Sequence, residues 1–182
     1  MTFEKKVTLK DGRNCLLRNG VTSDGNAVLD VFNRTHEETD YLLTYSDENC
    51  FTASQEADFL QRKTDSTNTV EIIAVVDGVV AGTAGIDALG MRDKIKHRAV
   101  FGIAITKEFW GLGIGKSLME ACIECAREAG YLQLELEVVA ENERAVEMYR
   151  RAGFIEYGRN PKAFRLRTGE YQELIDMRLE LK

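Results

Sequence analysis

Three glycines at alternate positions, Gly111, Gly113 and Gly115, stand between an apolar run ending near Ile105 and a helical pattern that continues to Ala129. Alternate glycines remove Cβ atoms, so neighbouring backbone N–H groups can be aimed together. Added to the positive end of the following helix, those N–H groups make a pocket for phosphate oxygens. The spacing reads as an anion site suited to a diphosphate. Two familiar phosphate patterns fit it poorly. A P-loop needs four residues between its first glycine and the Gly-Lys pair, whereas Gly111 to Gly115-Lys116-Ser117 leaves three. A dinucleotide fingerprint needs G-x-G-x-x-G at the first strand-to-helix turn, but this G-x-G-x-G lies behind several elements.

A second group of residues lies downstream, in LELEVVAENERAVEMYRRAGFIEYG, residues 134–158. Asn142 suits a helix N-cap, and Ala145, Tyr149 and Ala152 share one helix face at i, i+4 and i+7. Gly153 suits the helix stop and Phe154 restarts an apolar strand. Taken alone, Tyr149 reads as core. Cys122 and Cys125 form a CxxC inside a helix, in register with Ile114, Leu118 and Ala121. No second pair completes a zinc site, so they read as buried thiols, and no metal is expected. His36 and His97 are far apart and lack ligand-like partners. Lys116, Arg150 and Arg151 could touch phosphates or simply be solvated.

The elements that must position these residues read as one domain over residues 1–182. A strand or hairpin spans Lys6 to Leu17 around Asp11-Gly12, and helical patterns cover Ser23 to Thr35 and Ser54 to Lys63. HEETDYLLTYSDENCF, between them, settles on no single period and reads as helix and loop. Thr69 to Val76 and Val79 to Ile86 form a hairpin on Asp77-Gly78, and Ala99 to Ile105 is a third strand. A helix over Gly113 to Ala129 stops at Gly130. Leu132, Leu134, Leu136 and Val138 then face one way, with Gln133, Glu135 and Glu137 facing the other. A helix over Glu143 to Ala152 and two strands around Thr168-Gly169 follow, the last strand placing Tyr171, Ile175, Met177, Leu179 and Leu181 on one face. This order predicts a mixed α/β (α+β) domain whose mostly antiparallel sheet includes a parallel pair.

Composition narrows the setting. Hydrophobic residues make up 44% and charged residues 30%, as expected of a soluble globular chain. No apolar run approaches the roughly 20 residues a bilayer crossing needs, and MTFEKKVTLK has no apolar stretch behind its basic residues. Neither a membrane nor secretion is therefore expected. Four cysteines are too few for a disulfide framework, and a cytoplasmic location is expected. A net charge of -6, from 24 basic and 30 acidic residues, argues against a nucleic-acid partner.

The glycine stretch resembles the coenzyme A loop of the GNAT superfamily of N-acetyltransferases, written Q/R-x-x-G-x-G/A. Gly113 and Gly115 match its glycines, with Trp110 where Gln or Arg is usual. Asn142, Ala145, Tyr149, Gly153 and Phe154 match the superfamily's second hallmark segment, and the likeness covers most of Thr69 to Leu181. It implies acetyl-CoA as co-substrate. The arm of that molecule would lie against a splayed strand end at Ile103, Ala104 and Ile105, with its phosphates on Gly111, Leu112, Gly113, Ile114, Gly115 and Lys116 and further contacts from Asn142 and Ala145. Acetyl transfer to an amine, a small molecule or a peptide, is the implied reaction. Tyr149 is the implied general acid and a homodimer the implied assembly. A phenol near pKa 10 donating to a thiolate near 8.5 works uphill by only about 2 kcal/mol. The base stays open: Glu37, Glu38 and Asp40 could take the amine's proton, recognise a cationic acceptor or form a solvated face. Another acyl donor, or a non-catalytic acyl-CoA sensor on the same fold, is the alternative that turnover would separate.

Overall fold

The alternating runs pair into one eight-stranded sheet in the computed structural model, which describes residues 1–181. Strands β1 (Glu4–Thr8) and β2 (Asn14–Asn19) precede helices α1 (Gly25–Glu38) and α2 (Ala53–Asp65). Then come β3 (Val70–Val76), β4 (Val79–Ala88), β5 (Arg98–Ile105), α3 (Ile114–Glu128), β6 (Gln133–Val139), α4 (Glu143–Arg151), β7 (Ile155–Arg165) and β8 (Tyr171–Glu180). The strand order is β1-β2-β3-β4-β5-β6-β8-β7, antiparallel throughout except between β5 and β6. Asp77 (φ 51°) and Gly78 (φ 81°) both take the left-handed conformation that a tight two-residue hairpin needs.

Alternation along the strands divides the sheet into two faces. Leu134, Leu136, Val138, Phe101, Ile175 and Met177 form one face, packed under Ile114, Leu118, Cys122 and Cys125 of α3 and Val146 and Tyr149 of α4. Each such fully buried large aliphatic side chain contributes about 1.5–3 kcal/mol. Burial pushes the Cys125 thiol up to about 12 and Cys15 to about 11, so neither is a reactive thiolate at neutral pH. On the opposite face, Val28 of α1 and Leu60 of α2 cover Ile73. Two expected core positions fall outside the core: Leu132 is 59% exposed and Tyr171 50% exposed. Leu132 precedes β6, and Tyr171 is the first residue of β8.

The segment with no clear period after α1 is a loop with one 3₁₀ turn at Ser46–Glu48. Its conformation is set from outside. Arg167, at the β7–β8 hairpin, donates its N–H to the Tyr45 hydroxyl at 3.0 Å and its guanidinium to Asp47 at 2.7 Å.

Under α2, a buried carboxylate replaces a side chain on the neighbouring strand. A Cβ on Gly85 would lie 2.1 Å from Glu71 Oε2, so the absence of a side chain at Gly85 makes room for that carboxylate. Lys63 Nζ stands 4.0 Å from Glu71 and 2.5 Å from Asp87. Burial outweighs Lys63 and pushes the Glu71 carboxyl from 4.5 up to about 7. A raised carboxyl contributes stability that is complete below its unfolded pKa near 4.5 and is lost as pH rises towards 7. Glu71→Gln should therefore remove a downward slope in unfolding free energy between pH 4.5 and 7. Urea unfolding at several pH values reads this directly, and parallel slopes for the two proteins would refute it.

Candidate active site

The one parallel pair in the sheet is also the shortest. β5 and β6 pair only at Arg98↔Gln133, Ala99↔Leu134 and Val100↔Glu135. Beyond that point β5 stays paired to β4 as far as Ile105, and β6 to β8 as far as Val139, so two strands diverge with their outer partners intact. Thr106 N–H donates to Ala81 C=O at 3.0 Å. Alternation from that bond turns the backbone groups of Ala104 and Gly102 towards β4, and those of Ile103 and Ile105 towards the opening. Ala104, expected to offer backbone groups to a ligand, therefore spends them inside the sheet. The Ile105 carbonyl accepts the Trp110 indole N–H at 2.6 Å, so the open edge consists of Ile103 and the Ile105 N–H.

The glycine turn lies at the mouth of this opening. Gly111 (φ 87°) and Gly113 (φ 100°) occupy the left-handed region. Gly115 does not, and its role is packing: a Cβ there would lie 3.2 Å from the Met148 sulfur and 3.3 Å from Ile105 Cδ1. The three glycines thus divide into two that shape the turn and one that lets α3 approach α4 and β5. The first intrahelical bond of α3 runs from Ser117 N–H to Gly113 C=O at 3.1 Å. That leaves the N–H groups of Ile114, Gly115 and Lys116 without helical partners at the positive end of the helix. Leu112 C=O accepts from Lys10 N–H at 3.1 Å, which anchors the turn to the β1–β2 connection.

The expected basic residues are already engaged. Lys116 Nζ lies 3.6 Å from Glu120, Arg150 pairs with Glu156 at 3.5 Å, and Arg151 with Glu147 at 2.8 Å. Asn142 and Ala145 serve each other: the Asn142 side-chain oxygen accepts the Ala145 N–H at 3.3 Å and caps α4.

Tyr149 is 5% exposed, with its ring edge-on to Phe101 at 6.1 Å and tilted against Phe154 at 5.8 Å. Phe101 is the residue after the last β5–β6 pair, so the phenol stands where the strands part. Burial raises its pKa far above the ordinary 10, and the group stays protonated across any physiological pH.

The three acids expected to border the acceptor differ in their surroundings. Glu38 accepts the Lys107 backbone N–H at 2.6 Å and so holds α1 to the β5–α3 loop. Glu37 and Asp40 are exposed. The opening has at its β6 edge an acid, Glu137, that local pattern does not single out. Glu137 and Asp176 are direct cross-strand partners on the face away from α3 and α4. Glu137 is exposed, Asp176 half-buried, and neither forms an ion pair among the described residues. Like charges in such a pair are destabilising. Glu135, one step along, is neutralised by the Arg98 guanidinium. Across the gap, two residues past the last parallel pair, a Cβ on Gly102 would meet nothing within 4 Å, so this part of β5 faces open space. The alternation in LELEV contained this signal, but an acid on a solvent-facing strand position looks ordinary until the neighbouring strand is known.

A parting parallel pair, a glycine turn opening a helix between the parted strands, and a buried tyrosine at the fork together define a class. Residues 28–154 match the family model for the Acetyltransferase (GNAT) family, and the chain belongs to that family. It is similar to the L-amino acid N-acetyltransferase AaaT of Escherichia coli (strain K12), at 32% identity over 118 residues, 64% of this chain and 72% of that protein. Other acetyltransferases match over shorter stretches, the shared segment spanning 18% to 40% of their own length. Among solved structures, the acetyltransferase of the GNAT family from Streptococcus pneumoniae superimposes with a TM-score of 0.87 at 28% identity, over 91% of this chain and 99% of that one. A GNAT superfamily phosphinothricin acetyltransferase from Sinorhizobium meliloti, in complex with AcCoA, shares the fold with a TM-score of 0.81 at 18% identity, over 96% and 89% of the two chains. The protein is an acetyltransferase of this family.

Proposed function

We propose that the chain moves an acetyl group from acetyl-CoA to a primary amine, of a small molecule or a peptide, by direct attack. The observation that carries this reading is the loss of β5–β6 pairing after Val100, between a cradle of free N–H groups and a buried phenol. The Ile103 backbone groups and the Ile105 N–H suit the amides of a pantetheine arm, which would complete the sheet locally as an added strand does. The turn at Gly111, Leu112 and Gly113 with the first N–H groups of α3 suits its diphosphate. Asn142 and Ala145 act indirectly, by fixing the start of the helix that holds Tyr149.

In this reading an N–C bond forms as the C–S bond breaks. Glu137 takes one proton from the incoming ammonium, Tyr149 gives one to the departing sulfur and is reprotonated by the second proton the nitrogen loses on becoming an amide, and a backbone N–H facing the opening stabilises the oxygen that gains charge. Glu137 with Asp176 favours a cationic acceptor, and an amino acid acceptor has a precedent in the name of the AaaT relative. The test is acetyl-CoA-dependent thiol release across small amines, amino acids and short peptides. Release with one acceptor class supports the proposal. Tight coenzyme binding with no release from any of them points to a non-catalytic acyl-CoA sensor, and no coenzyme binding removes the reading altogether.

A further inference from the structure

Superfamily members usually carry Gln or Arg where this loop has Trp110, and the structure provides a substitute. The Trp110 indole is turned inward by its bond to the Ile105 carbonyl at 2.6 Å and offers no polar group to the cradle. A guanidinium from another element occupies that place. Arg144, on the first turn of α4, stands with Cζ 5.9 Å from the Trp110 ring centroid, and its Nη2 lies 3.4 Å from where a Gly111 Cβ would be. Lys107 Nζ lies 6.0 Å from the same ring. Arg144 pairs with no carboxylate among the described residues, unlike Arg150 and Arg151 on the same helix.

Its position is also unfavourable locally. Arg144 is the second residue of α4, where the helix dipole repels a cation and favours an anion. An exposed, unpaired arginine at the wrong end of a helix, stacked on an aromatic ring beside free N–H groups, makes sense where an anion arrives between them. We propose that Arg144 is a ligand for the diphosphate of coenzyme A, held in place by Trp110. This rests on the acetyl-CoA reading above. Trp110 is then the platform that presents the guanidinium, by cation–π contact, to the cradle at Gly111. The diphosphate would neutralise the guanidinium and the N-terminal ends of both α3 and α4, drawing α4 and its Tyr149 towards the glycine turn.

Calorimetry with coenzyme A and with dephospho-coenzyme A, which lacks the 3′-phosphate, tests this without turnover. Arg144→Ala should weaken both ligands by about tenfold or more, while Arg144→Lys should recover only part of the loss. Thermal stability of Arg144→Ala should be unchanged or higher, because the dipole conflict is gone. In wild type, emission from Trp110, the only tryptophan, should shift on binding and follow the calorimetric curve. Adding Trp110→Arg to the Arg144→Ala background should restore affinity. Unchanged affinity for both ligands would overturn the assignment, and so would a loss confined to coenzyme A, which would place Arg144 on the 3′-phosphate. Wild type that binds neither would remove the acetyl-CoA reading itself.

Discussion

Tyr149→Phe should lower turnover by about 10²- to 10⁴-fold while leaving the affinity for coenzyme A within about twofold. The phenol is 5% exposed and hydrogen-bonded to no side chain or backbone group among the described residues. Its removal therefore leaves no orphaned partner, and the variant should be as stable as wild type or more so. Structural damage and lost chemistry are thus separable in a single pair of measurements, a melting curve and a burst-free steady-state rate. The raised pKa of Tyr149 gives a second readout. A phenol at its ordinary value would begin to lose its proton near pH 10 and impose a descending limb on the rate there. A phenol held protonated by burial imposes none, so the rate should keep rising into that range as free amine accumulates. A fall near pH 10 that disappears in Tyr149→Phe would show a phenol with ordinary access to water, contrary to its buried position. Burial makes the phenol a poorer acid in isolation, but a thiolate released in the same fork is penalised by the same desolvation. The difference between the two groups, rather than either value, governs the proton transfer.

Much of this site was legible before any coordinates. Gly111 and Gly113 were recognisable because a positive φ is almost a glycine property, and Gly130 and Gly153 marked helix ends for the same reason. Asn142 was recognisable because helix capping is local chemistry acting over three residues. What could not be read was any relation across strands. The divergence of β5 from β6 is a property of two strands far apart in the chain, and only the register decides that Ile103 rather than Ala104 faces the gap. Glu38 reads from sequence as one of three equivalent acids, and only the fold shows that it holds Lys107 N–H, 69 residues away. Nothing local distinguishes Arg144 from Arg150 and Arg151, three arginines on one helix. Their partners do, since two have carboxylates nearby and the third has Trp110.

Glu137→Gln carries the second large expected effect, and its strength lies in opposite signs for activity and stability. Glu137 and Asp176 are direct cross-strand partners on one face of the sheet, so replacing one by its neutral isostere removes one of two like charges from that pair. Stability should rise by about 0.2–1 kcal/mol. Activity should fall, because an amine with pKa near 10 is almost wholly protonated at pH 7 and needs a group to receive its proton before attack. The expected loss is about 10²- to 10³-fold in kcat/KM at pH 7, within the range of a single positioned base. That loss should shrink as pH rises, since each pH unit supplies about ten times more free amine until the amine's own pKa is reached. A purely electrostatic role in attracting a cation would behave differently: the loss would sit in KM, fade with added salt and keep its size until the acceptor lost its charge. Asp176→Asn separates the pair further. If Asp176 only supports its neighbour, this variant should lose less activity than Glu137→Gln. A more stable Glu137→Gln protein with undiminished kcat/KM would remove Glu137 from the chemistry, leaving the two carboxylates as a cost in the fold with no catalytic return.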